Sequence, residues 1–422
     1  MDMDTAFRAA DILLPAKADM EKWAVAACDQ YTGEPEYWAR VEKRIGDAPS
    51  TLGLILPEVY LEETDVDKRI DRIHENMRSM LESGFFAYYS DAMIYVERVQ
   101  SDGMVRKGIV GAIDLERYDY HIGSSSLVRA TEATVPERIP PRLQVRLGAK
   151  IELPHVLVLI DDVEKTVIEP CSVVREHSKP IYDTSLMEGG GRIKGYLLGE
   201  KEKAQVTEAL EKLNDNADFN RKYGISGYPT LLFAVGDGNH SLATAKEYYE
   251  RLKAANPDKD FSNHPARYAL AEIVNLHSPA IRFEAIQRIV MGVDPQKFMA
   301  AAEEKLGLDN SLSNQRVISV IKGVERLGYI HRPTSELSVG SLQDFIDGYI
   351  AENGGKVDYI HGADVVKQLS RKDNTVGFIL PDMQKSELFR TVIKDGALPR
   401  KTFSMGHAAD KRFYMECRRI DR

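Results

Sequence analysis

Cysteine is scarce in this chain, with only Cys28, Cys171 and Cys417 among 422 residues. The three stand far apart, without a CxxC pair or an even framework, which argues against disulfides and structural zinc and suits a reducing compartment. Long apolar runs are also missing. No window approaches about 18 uncharged apolar residues, and the opening MDMDTAFRAADILLPAKADM has no basic stretch ahead of an apolar core, so neither a membrane span nor a secretory leader is expected. Positive charge is not in excess: the net charge is -9, and both signs are interleaved along the chain, a poor match for a phosphodiester backbone. No low-complexity tract or internal repeat is evident. The expectation is a cytoplasmic protein with neither nucleic acid nor membrane as partner.

What remains is an ordinary globular composition, 43% hydrophobic and 29% charged, at a length that favours two or three domains. The segment TDVDKRIDRIHENMRSMLESG places Val66, Ile70, Ile73, Met77, Met80 and Leu81 on one helical stripe, with Thr64 as N-cap and Gly84 past the end. Two strand-like runs flank Ser101-Asp102-Gly103, predicting a hairpin over 92–115. Val156 to Ile160 reads as a buried strand, a helix is expected over 200–213, and a strand over 231–235. Beyond residue 279 come helices near 295–306, 341–352 and 363–371, a strand pair in RVISVIKGVERLGYIHRP, and a final strand, turn and helix stopped by Gly396. The predicted class is α+β, a mixed sheet with packed helices. Its core spans 1–278 and a C-terminal α/β part, able to complete the site, spans 279–422.

The stretch LLFAVGDGNHSLATAKEYYERLK changes from an apolar run to a helical period at Asp237-Gly238-Asn239-His240. With Ser241 as cap, the backbone N–H groups of 241–244 would face the space above Gly238, where the helix dipole favours an anion. Glycine permits the sharp turn and close approach. Asp237 suits Mg²⁺ or a hydroxyl proton, and His240 suits a phosphate oxygen or acid–base work. The competing reading is a structural turn, because Asp-Gly and an N-cap serine are common at such corners. It is neither a P-loop nor a GxGxxG.

The order VGDGNHSLATA, preceded by RATEATVPERIPPRL and followed downstream by LPRKTF, resembles the domain-of-unknown-function 1015 family, placed with the ParB/sulfiredoxin-like fold and distantly related to free serine kinases. Asp237, Gly238, His240, Thr244 and Ala245 match the family corner, while Asn239 and Ser241 replace its histidine and arginine. Glu132 and Thr134 match an upstream element, followed by Arg138 and Arg142; Lys401 and Thr402 match a downstream one. AVAACDQY, with Asp29 and Tyr31, resembles the family's Tyr-Asp turn. The resemblance implies a nucleotide-handling fold. Asp237, His240 and Glu132 would be catalytic, with Asp237 and Glu132 as metal ligands. Gly238, Asn239, Ser241, Thr244, Arg138, Arg142 and Lys401 would bind cofactor. Arg129, Arg138, Arg142 or Arg146 could stand in for the arginine replaced by Ser241, since a hydroxyl cannot reproduce a bidentate guanidinium.

Three other features compete for attention. Gly189-Gly190-Gly191-Arg192 could form a lid or a flexible linker; His361 and His407 lack metal-ligand spacing; and no GxSxG elbow appears. Together these expectations describe a nucleotide-dependent small-molecule kinase or phosphohydrolase using Mg²⁺ with ATP or ADP. Its partners would be a nucleotide and a small substrate such as serine, and its candidate assembly a homodimer. The alternative is a non-catalytic nucleotide- or metabolite-binding switch.

Overall fold

The computed structural model describes residues 5–134, 139–153 and 155–421, and these form two compact units. The larger comprises Met1–Ile281 with Gly406–Arg422, the smaller Arg282–Met405. The end of the chain therefore packs with the first unit, whereas the sequence placed everything after 278 in one C-terminal part. The reason is a set of buried charges, described below, that no periodicity reveals.

The larger unit is built on a ten-stranded mixed sheet. The expected hairpin is present as Ile94–Val99 paired antiparallel with Val105–Asp114. Next to it run Tyr268–Asn275, Leu157–Ile160 and Phe233–Asp237. Leu157–Ile160 is parallel to Tyr268–Asn275 and antiparallel to Phe233–Asp237. Side chains alternate between two cores, as a pleated strand demands: Ile94 and Val96 join Trp23, Trp38 and Met77 on one face, while Tyr95 joins Val158, Phe233 and Tyr249 on the other. Burial on both faces explains why Val156–Ile160 reads as an unbroken apolar run. The stripe helix runs Val66–Glu82 and buries Ile70, Ile73 and Met77, each worth about 1.5–3 kcal/mol when fully buried. Asp65 rather than Thr64 is its N-cap.

Gly189–Gly191 is not a lid. It closes the hairpin between Tyr182–Ser185 and Arg192–Leu197. At Gly191 φ is +76° and an added Cβ would lie 2.0 Å from the Val99 carbonyl oxygen, so close packing requires glycine here.

The smaller unit carries the order Val324–Ile330, Gln315–Ile321, Thr375–Ile379, Phe283–Met291, Lys356–His361, with Phe403–Met405 also on Phe283–Met291. Every pairing is antiparallel. It is thus α+β, not the α/β arrangement expected, because its strands follow one another through turns and returning helices rather than parallel crossovers. Its helices Pro295–Leu306, Ser338–Asn353 and Ala363–Leu369 lie where the sequence put them. In all, twelve α-helices accompany the sheets among the described residues, and no helix of these residues is long and apolar enough to cross a membrane.

Candidate functional site

The strand Phe233–Asp237 ends in the carboxylate of Asp237, and the helix Asn239–Ala254 begins two residues later. Gly238 makes the turn in the left-handed region, φ +79° and ψ +25°, and is itself the N-cap. Ser241 is therefore not the cap. A left-handed glycine lets the helix start at once, and the first intrahelical bond, Leu242 N to Gly238 O at 3.0 Å, leaves the N–H groups of 239–241, not 241–244, at the helix start. A larger residue at 238 would be strained, since φ is left-handed and a Cβ would sit 3.1 Å from Val156 Cα.

Each neighbour has a defined place. The Val235 carbonyl accepts from the Thr131 hydroxyl at 2.6 Å and from Asn239 Nδ2 at 3.4 Å, tying the segment that carries Glu132 to the corner strand. Glu132 itself is half-buried in an isolated bridge. Asp237 Oδ1 accepts from the Gly238 N–H at 3.1 Å, and Oδ2 lies 3.4 Å from Lys411 Nζ. His240 is half-buried, and its carbonyl accepts from the Thr244 hydroxyl at 2.7 Å. Asn239 Oδ1 is buried with no hydrogen-bond partner.

A cavity of about 130 Å³ opens beside the first turns of this helix, with Ser241, Thr244, Arg142, Arg146 and His155 among its lining residues. The structure thus gathers Ser241, Thr244 and Arg142 at one space. Arg142 pairs with Glu58, and Arg129 is spent on the carbonyls of Ser126, Pro229 and Thr230. Lys401 belongs to the smaller unit, where its carbonyl accepts from buried Arg288 at 2.9 Å. Arg138 lies outside the described residues.

Sequence reasoning missed His155, Lys411 and Tyr414. His155 Nδ1 bonds the Tyr414 hydroxyl at 2.7 Å and Nε2 lies 3.3 Å from Asp29 Oδ2. Burial pushes the imidazole down, but the charge and hydrogen bond of Asp29, helped by Asp237, outweigh it and raise its pKa above the usual 6.5. Burial likewise pushes Asp29 up, and His155, Gln30 and Arg142 overcome this to hold the carboxyl below its ordinary range. Neighbouring Cys28 is pushed up to about 11, chiefly by burial and then by the Asp29 charge, so it is no thiolate nucleophile at neutral pH.

The pair has a pH signature. A raised histidine stabilises the fold fully below its unfolded pKa and loses that contribution as pH rises through the folded value; a lowered carboxylate loses its contribution only as pH falls through its own. Stability should therefore decline on the alkaline side, above about 6.5. Melting curves of wild type and His155→Gln between pH 6 and 9 check this: the gap between them should narrow as pH rises. A constant gap would show that the imidazole takes up its proton equally in the folded and unfolded chain, and that the Asp29 partnership does not raise its pKa.

Lys411 is held by an unusual anchor. Three successive carbonyls, of Ala409, Asp410 and Lys411, accept from the buried guanidiniums of Arg98 and Arg106 at 2.8, 2.8 and 3.4 Å. The Asp410 carboxylate accepts from Ser101 N and Oγ at 2.7 and 2.9 Å. Arg412 pairs with Glu272 at 2.6 Å and with Glu416, all three nearly fully buried. The chain end is thereby pinned so that Lys411 and Tyr414 face the corner and His155.

Among the described residues no three His, Cys, Asp or Glu side chains converge as a metal site. The Asp237 carboxylate is a hard oxygen donor at the helix start, of the kind Mg²⁺ takes alongside phosphate oxygens and water.

The family model described as "Protein of unknown function (DUF1015)" matches residues 8–397. No curated protein matches. Three solved structures similar to this chain are "Free serine kinase in complex with AMP", with 11% identity, TM-score 0.37 and coverage of 72% of this chain and 90% of that one; "SbnI with C-terminal truncation from Staphylococcus aureus", 10%, 0.35, 70% and 83%; and a conserved hypothetical protein from Pyrococcus furiosus, 10%, 0.35, 74% and 94%. Likeness at this level says nothing about activity.

Proposed function

The chain belongs to the DUF1015 family, and from that premise we propose that it is a nucleotide-dependent small-molecule kinase with a ParB/sulfiredoxin-like core. The observation that carries this is the corner itself. The left-handed Gly238 starts a helix directly after the Asp237 carboxylate, with the N–H groups of 239–241 at the helix start and Lys411 3.4 Å from Asp237. Phosphates resting on those N–H groups would gain from the helix dipole and from the lysine charge.

Asp237 would take the proton of an acceptor hydroxyl as its oxygen forms the new bond to phosphorus and the bond to the leaving nucleotide phosphate breaks. His240 and Lys411 would stabilise the charge spread over the transferring group, so that positioning and electrostatics supply most of the acceleration. Asp237 and Glu132 would hold Mg²⁺, which would supply positive charge against the phosphates. A free amino acid such as serine is the acceptor the family resemblance suggests.

A thermal-shift comparison against ATP, ADP, CTP and GTP, with and without Mg²⁺, on wild type and His240→Ala tests the reading. A nucleotide at a hundred times its Kd should add about 2.7 kcal/mol, a rise of several degrees. The rise should depend on Mg²⁺ and shrink in the variant. Absence of any rise would remove the kinase reading; a rise with no turnover on any offered acceptor would leave a binding switch.

A further inference from the structure

The cavity beside the helix start has a wall whose charges are already matched. Its charged lining residues are Arg142, Arg146, Glu152 and His155. Arg142 pairs with Glu58, Arg146 with Glu152 at 2.6 Å, and His155 with Asp29 at 3.3 Å; Glu152 takes a second partner in Arg418 at 2.9 Å. An ion entering this space would leave water without gaining an unpaired counter-charge in exchange. Most of the remaining wall is apolar. Ile55, Leu56, Val145, Ala149 and Leu153 line it, brought together from distant stretches of the chain, and each of the five retains accessible surface.

The hydroxyls of the wall are equally committed, with one exception. Ser241, Thr244 and Tyr414 line the space. Thr244 donates to the His240 carbonyl at 2.7 Å, and the Tyr414 oxygen is held between His155 Nδ1 at 2.7 Å and the Cys28 N–H at 3.3 Å. Ser241 is half-buried, and its hydroxyl bonds no other group among the described residues. Water needs two to four polar partners to settle in a cavity, and an apolar space of about 150 Å³ stays dry and takes a molecule the size of benzene. At about 130 Å³, this one holds roughly five or six non-hydrogen atoms by the same measure. A matched set of charges excludes ions, and the single uncommitted hydroxyl calls for one hydrogen-bonding group on an otherwise apolar molecule.

We propose that this cavity binds a small uncharged aliphatic alcohol, its hydroxyl on Ser241 Oγ and its alkyl part against Ile55, Val145 and Leu153. Ser241 is also the third residue of the helix at whose start phosphates would rest, which brings the alcohol oxygen to the corner. A role for this alcohol as phosphoryl acceptor rests on the kinase reading; its binding does not. Serine, a zwitterion, finds no unpaired partner for either charge in this wall, so a serine acceptor would sit outside the cavity.

The experiment therefore uses no nucleotide. Calorimetric titration of the whole protein with propan-1-ol, butan-1-ol and 3-methylbutan-1-ol should show affinity rising about fourfold for each added buried methylene. The ions of the same skeleton, 3-methylbutanoate and 3-methylbutylammonium, and L-serine should each bind at least tenfold more weakly than 3-methylbutan-1-ol. Ser241→Ala should weaken every alcohol about fivefold while leaving benzene, which has no hydroxyl, unchanged. Val145→Phe, which fills the space, should abolish binding of alcohols and benzene alike while its melt remains cooperative. Four results would each overturn the proposal: an ion or serine binding as tightly as the alcohol, equal effects of Ser241→Ala on alcohol and benzene, binding that survives Val145→Phe, or no alcohol binding at all. None of these results depends on whether a nucleotide binds.

Discussion

Replacing Arg412 with methionine should destabilise the larger unit by about 3–5 kcal/mol, a fall in Tm on the order of 10 °C. Arg412, Glu272 and Glu416 are 3%, 0% and 2% exposed at their side chains. Burial alone would depress the guanidinium pKa, yet the two carboxylates overcome this and raise it further, so the charges are mutually dependent. Removing the cation leaves two carboxylates in a space that neither water nor Arg106, 3.6 Å from Glu272, can compensate. The expectation has an internal control. Combining Arg412→Met with Glu416→Gln, which leaves the buried Arg106–Glu272 pair in place, should recover most of the loss, because removing a buried cation together with one carboxylate keeps the remaining charges balanced. Thermal and urea melts of the single and double variants measure it, and a loss under about 1 kcal/mol in the single variant, the range of an exposed ion pair, would contradict the anchor.

The second large effect concerns turnover. Asp237→Asn keeps the size of the side chain and an oxygen able to accept from the Gly238 N–H, so the corner should fold. It removes the base for the acceptor proton and the negative charge for a cation. General-base catalysis alone is worth about 10²–10⁴-fold, and loss of a metal ligand adds to it. The variant should thus retain less than about 1% of the rate. Lys411, losing the carboxylate 3.4 Å away, remains available to nucleotide phosphates, so affinity for ATP alone should hold or improve.

How much of this was written in the sequence depended on whether the signal was local. Helix 66–82 and the 92–115 hairpin follow from apolar period and turn residues, and both lie where expected. The corner was legible because Asp237-Gly238 interrupts an apolar run at the start of a helical period, although the left-handed glycine moved the cap from Ser241 to Gly238. The long-range partners were not legible. Lys411 and Tyr414 reach Asp237 and His155 across more than a hundred residues, held there by Arg98, Arg106 and Arg412, which in sequence look like ordinary surface charge. Burial of an arginine depends on carboxylates distant in the chain, such as Glu272, and no periodicity announces it. His155, between Pro154 and an apolar strand, showed only a lone imidazole. Arg142 and Arg146 were visible as charges near the corner, but the cavity that they line exists only once distant segments meet.

The most direct measurement follows the terminal phosphoryl group of labelled ATP with Mg²⁺ in wild type and Asp237→Asn, offering water and L-serine as acceptors. The same preparations are titrated with ATP alone. The account predicts transfer or release by wild type, at least a hundredfold slower in the variant, with ATP affinity retained. Equal rates in the two proteins would contradict it, and Asp237 would then be a turn residue rather than the group that activates the acceptor.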